Sequence, residues 1–224
     1  MTDLAVVLFD LDGVLVDTRS LVEQAYLDVA RYLGVKTPSE EALKRATEVR
    51  PQRALSELFG EDNSKANTAF NRYWRDNINS VSCFTGIMEL LRSLTSLEII
   101  LGTVTSRNAA DTFSLLGAAG IRTYMQVIVT WGHYRAAKPS PACLVVALRK
   151  TGKPPSKTAY VGDQAVDILA ARRAGILAVG AIWDANASEE DLRGAGATVI
   201  VREPKEILAM VGRRQCGGHV RCDC

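Results

Sequence analysis

The chain has 224 residues, of which 47% are hydrophobic and 23% are charged, the balance of a folded globular protein rather than a disordered one. The formal net charge of +2 equals the charge of residues 212–224 alone, so the rest of the chain is neutral and shows no sign of a nucleic-acid-binding surface. No apolar run approaches the ~20 residues of a membrane span, and the N-terminus becomes acidic too soon for a secretory signal. We therefore expect a cytoplasmic protein with no nucleic-acid or membrane partner.

Short apolar runs separated by helical patterns predict an α/β fold with a parallel sheet. Five runs have the length and apolar content of buried strands: 4–11, 98–104, 126–130, 158–161 and 176–182. Helical patterns lie between them at 86–94 and 141–150, and we expect Ser140 to cap the second of these and Gly152 to end it. Alternation of strands with helices of this length is typical of parallel strands joined by right-handed crossovers.

The segment 16–82 interrupts this alternation, because it contains helical patterns and no strand pattern. Apolar residues recur at helical spacing around 22–33, 51–58 and 66–74. A further helix is predicted to start at a capping box, with Thr37 as the cap and Pro38 in the first helical position. A helical insert directly after the first strand predicts a small separate domain.

Two carboxylates follow the first predicted strand, at Asp10 and Asp12. Residues two apart on a strand face the same way, so both side chains can point into the crevice at the carboxyl end of the sheet. Gly13 permits the tight turn that follows. One carboxylate can attack phosphorus while the other exchanges a proton with the ester oxygen. An ordinary turn with two acids is the alternative interpretation of this motif taken alone.

Two further clusters supply groups that could hold a phosphate. Thr105 and Ser106 end the second predicted strand, where a hydroxyl and a backbone N–H can bind phosphate oxygens without adding charge. Lys138 precedes a proline, and its ammonium can neutralise both the phosphate and Asp10. Taken alone, the first pair could simply cap the next helix, and the lysine could be a solvated loop residue.

The fourth cluster contains two acids, Asp163 and Asp167. Asp163 ends a predicted strand, and Asp167 lies one helical turn later on the same face. Acids at a helix start could merely pair with the helix dipole. Together with Asp10, however, they form a hard, oxygen-lined site that suits Mg²⁺.

In this order, the four clusters resemble those of the haloacid dehalogenase superfamily. The matching motifs are FDLDGVLVD at 9–17, VTSR at 104–107, KPSP at 138–141 and VGDQAVDILAARRAG at 161–175. The resemblance implies a Rossmann-like core with a helical cap inserted between the first two motifs. The domains are then a core of residues 1–15 and 83–212, a cap of residues 16–82, and a flexible Cys-rich tail of residues 213–224.

The resemblance also implies a role for each motif residue. Asp10 is expected to be the nucleophile and Asp12 the general acid and base, while Thr105 and the Ser106 backbone hold phosphate and Lys138 neutralises charge. The implied Mg²⁺ ligands are Asp10, the Asp12 carbonyl oxygen, Asp163 and, through water or Lys138, Asp167. The expected activity is hydrolysis of a small phosphorylated metabolite, with the phosphoglycolate-phosphatase-like members as the best likeness.

Two other activities remain as alternatives. A β-phosphoglucomutase-like enzyme would be expected to carry Asp-Thr-Glu and a nearby His after the first motif. Here Arg19 follows Asp17 and Thr18, and no His precedes His133, which disfavours a mutase. A non-catalytic regulatory protein is the other alternative, although every charged position of the site is present. Asp12 argues against dehalogenase and phosphonate-cleaving members, which lack that acid.

Substrate specificity is expected to come from the cap. Arg50 and Arg53 lie between two predicted cap helices and could bind an anionic group of the substrate, or could be solvated helix-end arginines. The residues Trp131, His133 and Tyr134 depart from the acidic stretch expected before the lysine.

In the tail, Cys216, His219, Cys222 and Cys224 could bind zinc or form a disulfide, although a loose terminus is the simpler interpretation. We expect the protein to be a monomer or a homodimer.

Overall fold

The computed structural model describes residues 4–47, 49, 51–60 and 64–211, and its centre is a six-stranded parallel sheet. The strands are β1 (Val6–Phe9), β2 (Ile100–Val104), β3 (Val127–Val129), β4 (Thr158–Gly162), β5 (Leu177–Ala181) and β6 (Val199–Val201). Their order across the sheet is β3-β2-β1-β4-β5-β6, with every neighbouring pair parallel. The predicted α/β class is confirmed. The sixth strand was not among the predicted strands, although the other three-residue edge strand, β3, was.

Helices cover both faces of the sheet. They are α5 (Ile87–Ser96), α6 (Ala109–Ala118), α7 (Ala142–Thr151), α8 (Ala165–Arg173) and α9 (Glu189–Gly194). Successive side chains of β1 enter different buried clusters: Val7 and Phe9 belong to one, Val6 and Leu8 to the other. All four are fully buried, so the central strand is fixed from both sides. As predicted, Gly152 ends α7, with a positive φ of 64°.

Between β1 and the core helix α5, the described residues form four α-helices at the place of the predicted cap: α1 (Arg19–Leu33), α2 (Glu40–Thr47), α3 (Pro51–Phe59) and α4 (Ser64–Asn77). Helices α1 and α4 pack through aromatic rings, since Tyr26 of α1 lies 5.2 Å from Phe70 of α4, centroid to centroid. Within α4, Phe70 stacks on Trp74 at 6.4 Å.

The predicted start of the second cap helix at Thr37 and Pro38 is wrong. The helix begins at Glu40, and the Ser39 hydroxyl accepts a hydrogen bond of 3.3 Å from the Ala42 N–H. Both Thr37 and Ser39 are good caps, and the choice of Ser39 places Glu40 and Glu41 in the first turn, where the helix dipole favours acidic side chains.

The chain enters and leaves the helical insert along one short antiparallel pair. Val16 forms a bridge with Cys83, Asp17 N–H donates to the Ser82 carbonyl at 3.2 Å, and Phe84 N–H donates to the carbonyl of residue 15 at the same distance. The domain limits at 16 and 82 stay a prediction. Arg50 and the cysteine-containing tail at 213–224 lie outside the described residues. Among the helices of the described part, none has the length and apolar character needed to cross a membrane.

Candidate active site

The predicted site residues converge at the carboxyl edge of the sheet. Strands β2, β1 and β4 are neighbours, so Thr105, Asp10 and Asp163, which directly follow them, come to the same edge. A cavity of about 860 Å³ opens above this edge, and its opposite wall includes residues of cap helices α1, α2 and α3. The floor is therefore built by the core and the roof by the cap.

Lys138 lies at the centre of the floor and is only 4% exposed. Its Nζ atom is 3.0 Å from Asp10 Oδ1 and 2.7 Å from Asp167 Oδ1. It also lies 2.5 Å from the hydroxyl of Tyr160 and 3.2 Å from the carbonyl of Val104. Burial opposes the charged form of Lys138, but the two neighbouring carboxylates outweigh it and raise the pKa of the ammonium. The lysine is therefore a fixed, buried cation beside Asp10.

The three acids Asp10, Asp163 and Asp167 each offer a carboxylate oxygen within 4.8 Å of the others. Burial, and then the charge of Asp167, raise the pKa of Asp10 to about 7, although Lys138 pulls it down. Burial, and then the charges of Asp167 and Asp10, also raise the pKa of Asp163 well above its usual value. This crowding of like charges is the environment that a cation relieves.

One carboxylate oxygen of Asp163 is available to bind a metal ion. Its Oδ1 atom is buried and has no hydrogen-bond partner among the described residues. A buried carboxylate oxygen without a donor is costly unless a cation or water meets it. Gly13 lies against the same carboxylate, because a Cβ on Gly13 would fall 2.2 Å from Asp163 Oδ2. The hard oxygen donors of this cluster fit Mg²⁺.

Asp167 is held by local helix chemistry as well as by Lys138. It is the third residue of α8, and its Oδ2 accepts from the Gln164 N–H at 3.2 Å in a capping box. Its Oδ1 faces Lys138, with the Tyr160 hydroxyl 3.3 Å away. A Cβ on Gly162 would lie 2.3 Å from the Asp167 Cβ, so only glycine fits beside Asp167 at the end of β4. Tyr160 was missed by the sequence analysis, since an aromatic residue inside an apolar strand is indistinguishable from core.

Asp12 has a different partner, Arg107. The guanidinium binds the carboxylate through both oxygens, with Nε 2.7 Å from Oδ2 and Nη2 2.8 Å from Oδ1. The Thr18 hydroxyl donates a short hydrogen bond to the same Oδ1. Burial would raise the pKa of Asp12, but Arg107 and Thr18 outweigh it and lower the pKa. Arg107 was not predicted as a site residue, although its position directly after Thr105 and Ser106 was an available signal.

The stretch that departs from the family pattern supports the loop after β2. The Tyr134 hydroxyl donates to the Thr105 carbonyl at 2.9 Å, and Trp131 packs edge-on against Tyr134 at 5.2 Å while also lining the cavity. His133 Nδ1 accepts from the Thr130 N–H at 3.0 Å. Thr105 is almost completely buried, and together with Ser106 it borders the cavity.

Of the two cap arginines predicted to bind substrate, Arg53 is the one within the described residues, and it reaches the cavity but is not fixed there. Arg53 lines the cavity wall, with a side chain that is 72% exposed and paired with Glu57 at 2.7 Å. Such an exposed pair within one helix is weak, so Arg53 is available to a ligand without being held toward one.

The carboxyl edge of the parallel sheet carries an aspartate pair, a buried lysine and a second acid pair, and a helical insert covers it. This combination defines a class of hydrolase. Residues 7–181 match the haloacid dehalogenase-like hydrolase family, and the chain belongs to this family. The predicted family and the predicted Rossmann-like core with a helical cap are confirmed.

Three comparisons show the range of its relatives. The chain is 28% identical to pyrophosphatase PpaX of Oceanobacillus iheyensis, with 92% of this chain and 96% of that protein covered. A predicted phosphoglycolate phosphatase of Haemophilus somnus is 25% identical, with a TM-score of 0.83 over 94% of this chain and 99% of the other. A protein named as a candidate β-phosphoglucomutase of Thermotoga maritima is 26% identical, with a TM-score of 0.81 and coverages of 92% and 97%. The prediction of a phosphatase-type enzyme is confirmed at the level of the family and its named relatives.

Proposed function

We propose that the protein hydrolyses a small phosphate monoester, with Mg²⁺ as cofactor, through an aspartyl-phosphate on Asp10. The observation that carries this proposal is the position of Asp10, which lines the open cavity beside the buried ammonium of Lys138 and offers an oxygen within 4.8 Å of oxygens of Asp163 and Asp167. A carboxylate that belongs to a metal-binding cluster and lies beside a fixed cation is suited to attack a phosphoryl group.

The reaction has two steps. An Asp10 carboxylate oxygen forms a bond to phosphorus while the bond from phosphorus to the ester oxygen breaks. Asp12 gives a proton to the leaving oxygen, a role that requires it to be released from Arg107 and protonated before this step. Asp12, now a carboxylate, then takes a proton from a water molecule that attacks the phosphorus. The bond between phosphorus and Asp10 breaks, releasing inorganic phosphate and restoring the Asp10 carboxylate and the protonated Asp12.

The remaining residues stabilise charge. Lys138, the Thr105 hydroxyl and the Ser106 backbone N–H are assigned to the equatorial phosphoryl oxygens, where negative charge is spread in the transition state. Asp10, the Asp12 carbonyl oxygen and Asp163 would hold Mg²⁺, with Asp167 acting through Lys138 or water. When bound, the ion neutralises phosphoryl charge and the repulsion among these carboxylates.

A sugar phosphomutase is a second candidate, supported by the likeness to the Thermotoga maritima protein. Against it, Arg19 occupies the place where a mutase is expected to carry glutamate, and it pairs with Glu23 at 2.8 Å. The two candidates differ in their product, because only hydrolysis releases inorganic phosphate.

The test is a panel of phosphorylated metabolites assayed for phosphate release with Mg²⁺, including phosphoglycolate, sugar phosphates, nucleotides and phosphorylated aromatic acids. We expect at least one to be turned over, and turnover to stop on chelation. Interconversion of sugar phosphates without free phosphate would identify a mutase. A folded, metal-loaded protein that turns over none of them would contradict the hydrolase proposal. Cytoplasmic location and the choice between monomer and homodimer stay predictions.

A further inference from the structure

The least expected contact in the cavity is the ion pair between Arg107 and Asp12. Both oxygens of Asp12 are engaged by the guanidinium, at 2.7 and 2.8 Å, and both residues line the cavity. The Arg107 side chain is 14% exposed, so the pair lies at the wall of the cavity rather than on the outer surface. A two-pronged guanidinium contact of this kind is the form that recognises carboxylates and phosphates.

The guanidinium of Arg107 is also fixed from the cap side. Its central carbon lies 4.5 Å from the ring centre of Trp74 on α4, and Trp74 is 4% exposed. Cation–π stacking on a buried ring holds the plane of the guanidinium in place. Within the described residues, Nη1 donates to no other side chain, so a donor remains for a ligand.

This arrangement conflicts with the role assigned to Asp12. To protonate the leaving oxygen, the Asp12 carboxyl must turn toward the substrate, yet Arg107 occupies both of its oxygens. An anion that replaced Asp12 on the guanidinium would resolve the conflict, because Arg107 would keep a partner while Asp12 became free to turn. The leaving group is the part of the substrate that lies beside Asp12, so that anion would belong to the leaving group.

We propose that Arg107 determines substrate specificity by binding a carboxylate or second phosphate on the leaving group, in exchange for Asp12. This inference rests on the proposed hydrolase function and narrows its substrate to monoesters of acidic alcohols or to diphosphate-like compounds. Arg107 acts as a specificity residue, and the exchange moves an ion pair without breaking a covalent bond.

The other described arginines of the cavity are less suited to this role. Arg19 already contacts Glu23 and lies 3.9 Å from Asp184, and Arg53 is exposed on the cap and paired with Glu57. Neither contacts Asp12, so binding an anion there would leave the catalytic acid held by Arg107.

The test compares two substrates of nearly the same size, 2-phosphoglycolate and 2-hydroxyethyl phosphate, which differ by a carboxylate at the end of the leaving group. We expect the native enzyme to favour phosphoglycolate by about 10- to 100-fold in kcat/KM, the effect of one charge-assisted contact. In Arg107→Gln, the ratio of kcat/KM for phosphoglycolate to that for 2-hydroxyethyl phosphate should fall by about that factor. Arg107→Lys should keep part of the preference, since the charge remains but the two-pronged geometry is lost.

Arg122→Gln is the matched control, because Arg122 also stacks on an aromatic ring, that of Phe113 at 5.1 Å, but lies outside the cavity. It should keep the native ratio. Equal turnover of the two substrates by the native enzyme would overturn the inference, and so would an Arg107→Gln enzyme that loses both activities equally while staying folded by circular dichroism. A shift of the ratio in Arg53→Gln alone would assign the role to the cap. Failure of the proposed function is a separate result, since it would appear as no phosphate release from either substrate.

Discussion

The floor and the roof of the cavity are built in different ways. On the floor, the side chains of Lys138 and Asp167 are 4% and 2% exposed. They are joined to each other, to Asp10 directly after β1, and to groups of β2 and β4. On the roof, Arg53 is 72% exposed, and its partner Glu57 lies one turn away on the same helix. Rigid support from several elements preserves a reaction geometry, whereas exposed helix residues can change without disturbing the fold. The floor is thus suited to the common chemistry of the family, and Arg107, which stacks on Trp74 of α4 where the floor meets the roof, is placed to add substrate recognition.

The largest effect is expected from removing the nucleophile on the floor. Asp10→Asn should abolish turnover of every substrate, because an amide oxygen is a poor nucleophile and cannot form the covalent intermediate. Phosphate release under saturating substrate and Mg²⁺ measures this. Near-normal turnover in the variant would exclude the covalent mechanism.

Asp12→Asn should lower kcat by about 10²- to 10⁴-fold, since it removes the general acid and base. The first step should suffer less with p-nitrophenyl phosphate, whose leaving group hardly needs a proton. Hydrolysis of the intermediate would still be slow, so a phosphoenzyme should accumulate. Mass spectrometry after an acid quench should find the added phosphoryl group on the peptide that contains residues 9–17, and its absence in a partly active variant would argue against this division of roles.

The tight packing of the floor predicts a stability effect at Gly162. Gly162→Ala places a methyl group where Asp167 already lies, so we expect unfolding free energy to fall by about 1 to 3 kcal/mol. Gly117→Ala in α6 is the matched control: nothing lies within 4 Å of its added Cβ, and alanine should stabilise the helix by about 0.5 to 1 kcal/mol. Urea unfolding of both variants measures the difference, and equal effects would show that the floor tolerates the added atom.

The crowded acids of the floor predict that stability depends on both pH and Mg²⁺. Asp10 has a pKa raised from 3.8 to about 7, so the folded state holds more protons than the unfolded state in this range, and metal-free stability should fall as pH rises through it. Mg²⁺ should therefore raise the melting temperature more at pH 8 than at pH 5. Calorimetry at both pH values, with and without Mg²⁺, tests this. An equal shift at the two pH values would contradict binding at these carboxylates.

The smallest effect is expected on the roof. Arg53→Gln should raise KM by less than about tenfold with kcat unchanged, the result for a contact made equally in the ground and transition states. Its stability should change by no more than about 0.5 kcal/mol, since an exposed pair within a helix contributes little. Steady-state kinetics with the best substrate of the panel measures both constants, and a large fall in kcat would place Arg53 among the groups that act in the transition state.

Local sequence was sufficient for much of this molecule. The sequence predicted five strands, the helical insert and the acids at 10, 12, 163 and 167. A buried strand is recognisable as an apolar run, and a polar residue directly after a parallel strand lies at the carboxyl edge of the sheet. The positions of Thr105 and Lys138 at the same edge followed from the parallel arrangement of the strands. Each strand, and each polar residue at its end, is recognised from residues that lie close together in the chain.

Tertiary structure alone decided the partners of these residues. Arg107 and Asp12 are 95 positions apart, and Lys138 and Tyr160 are 22 apart, so no local pattern indicates that they meet. The edge strand β6 pairs with β5, and this pairing was not predicted from the local pattern either. The physical reason is the same in each case. Sequence patterns indicate which residues are buried and which lie in turns, whereas the identity of a residue's partner depends on the packing of distant elements.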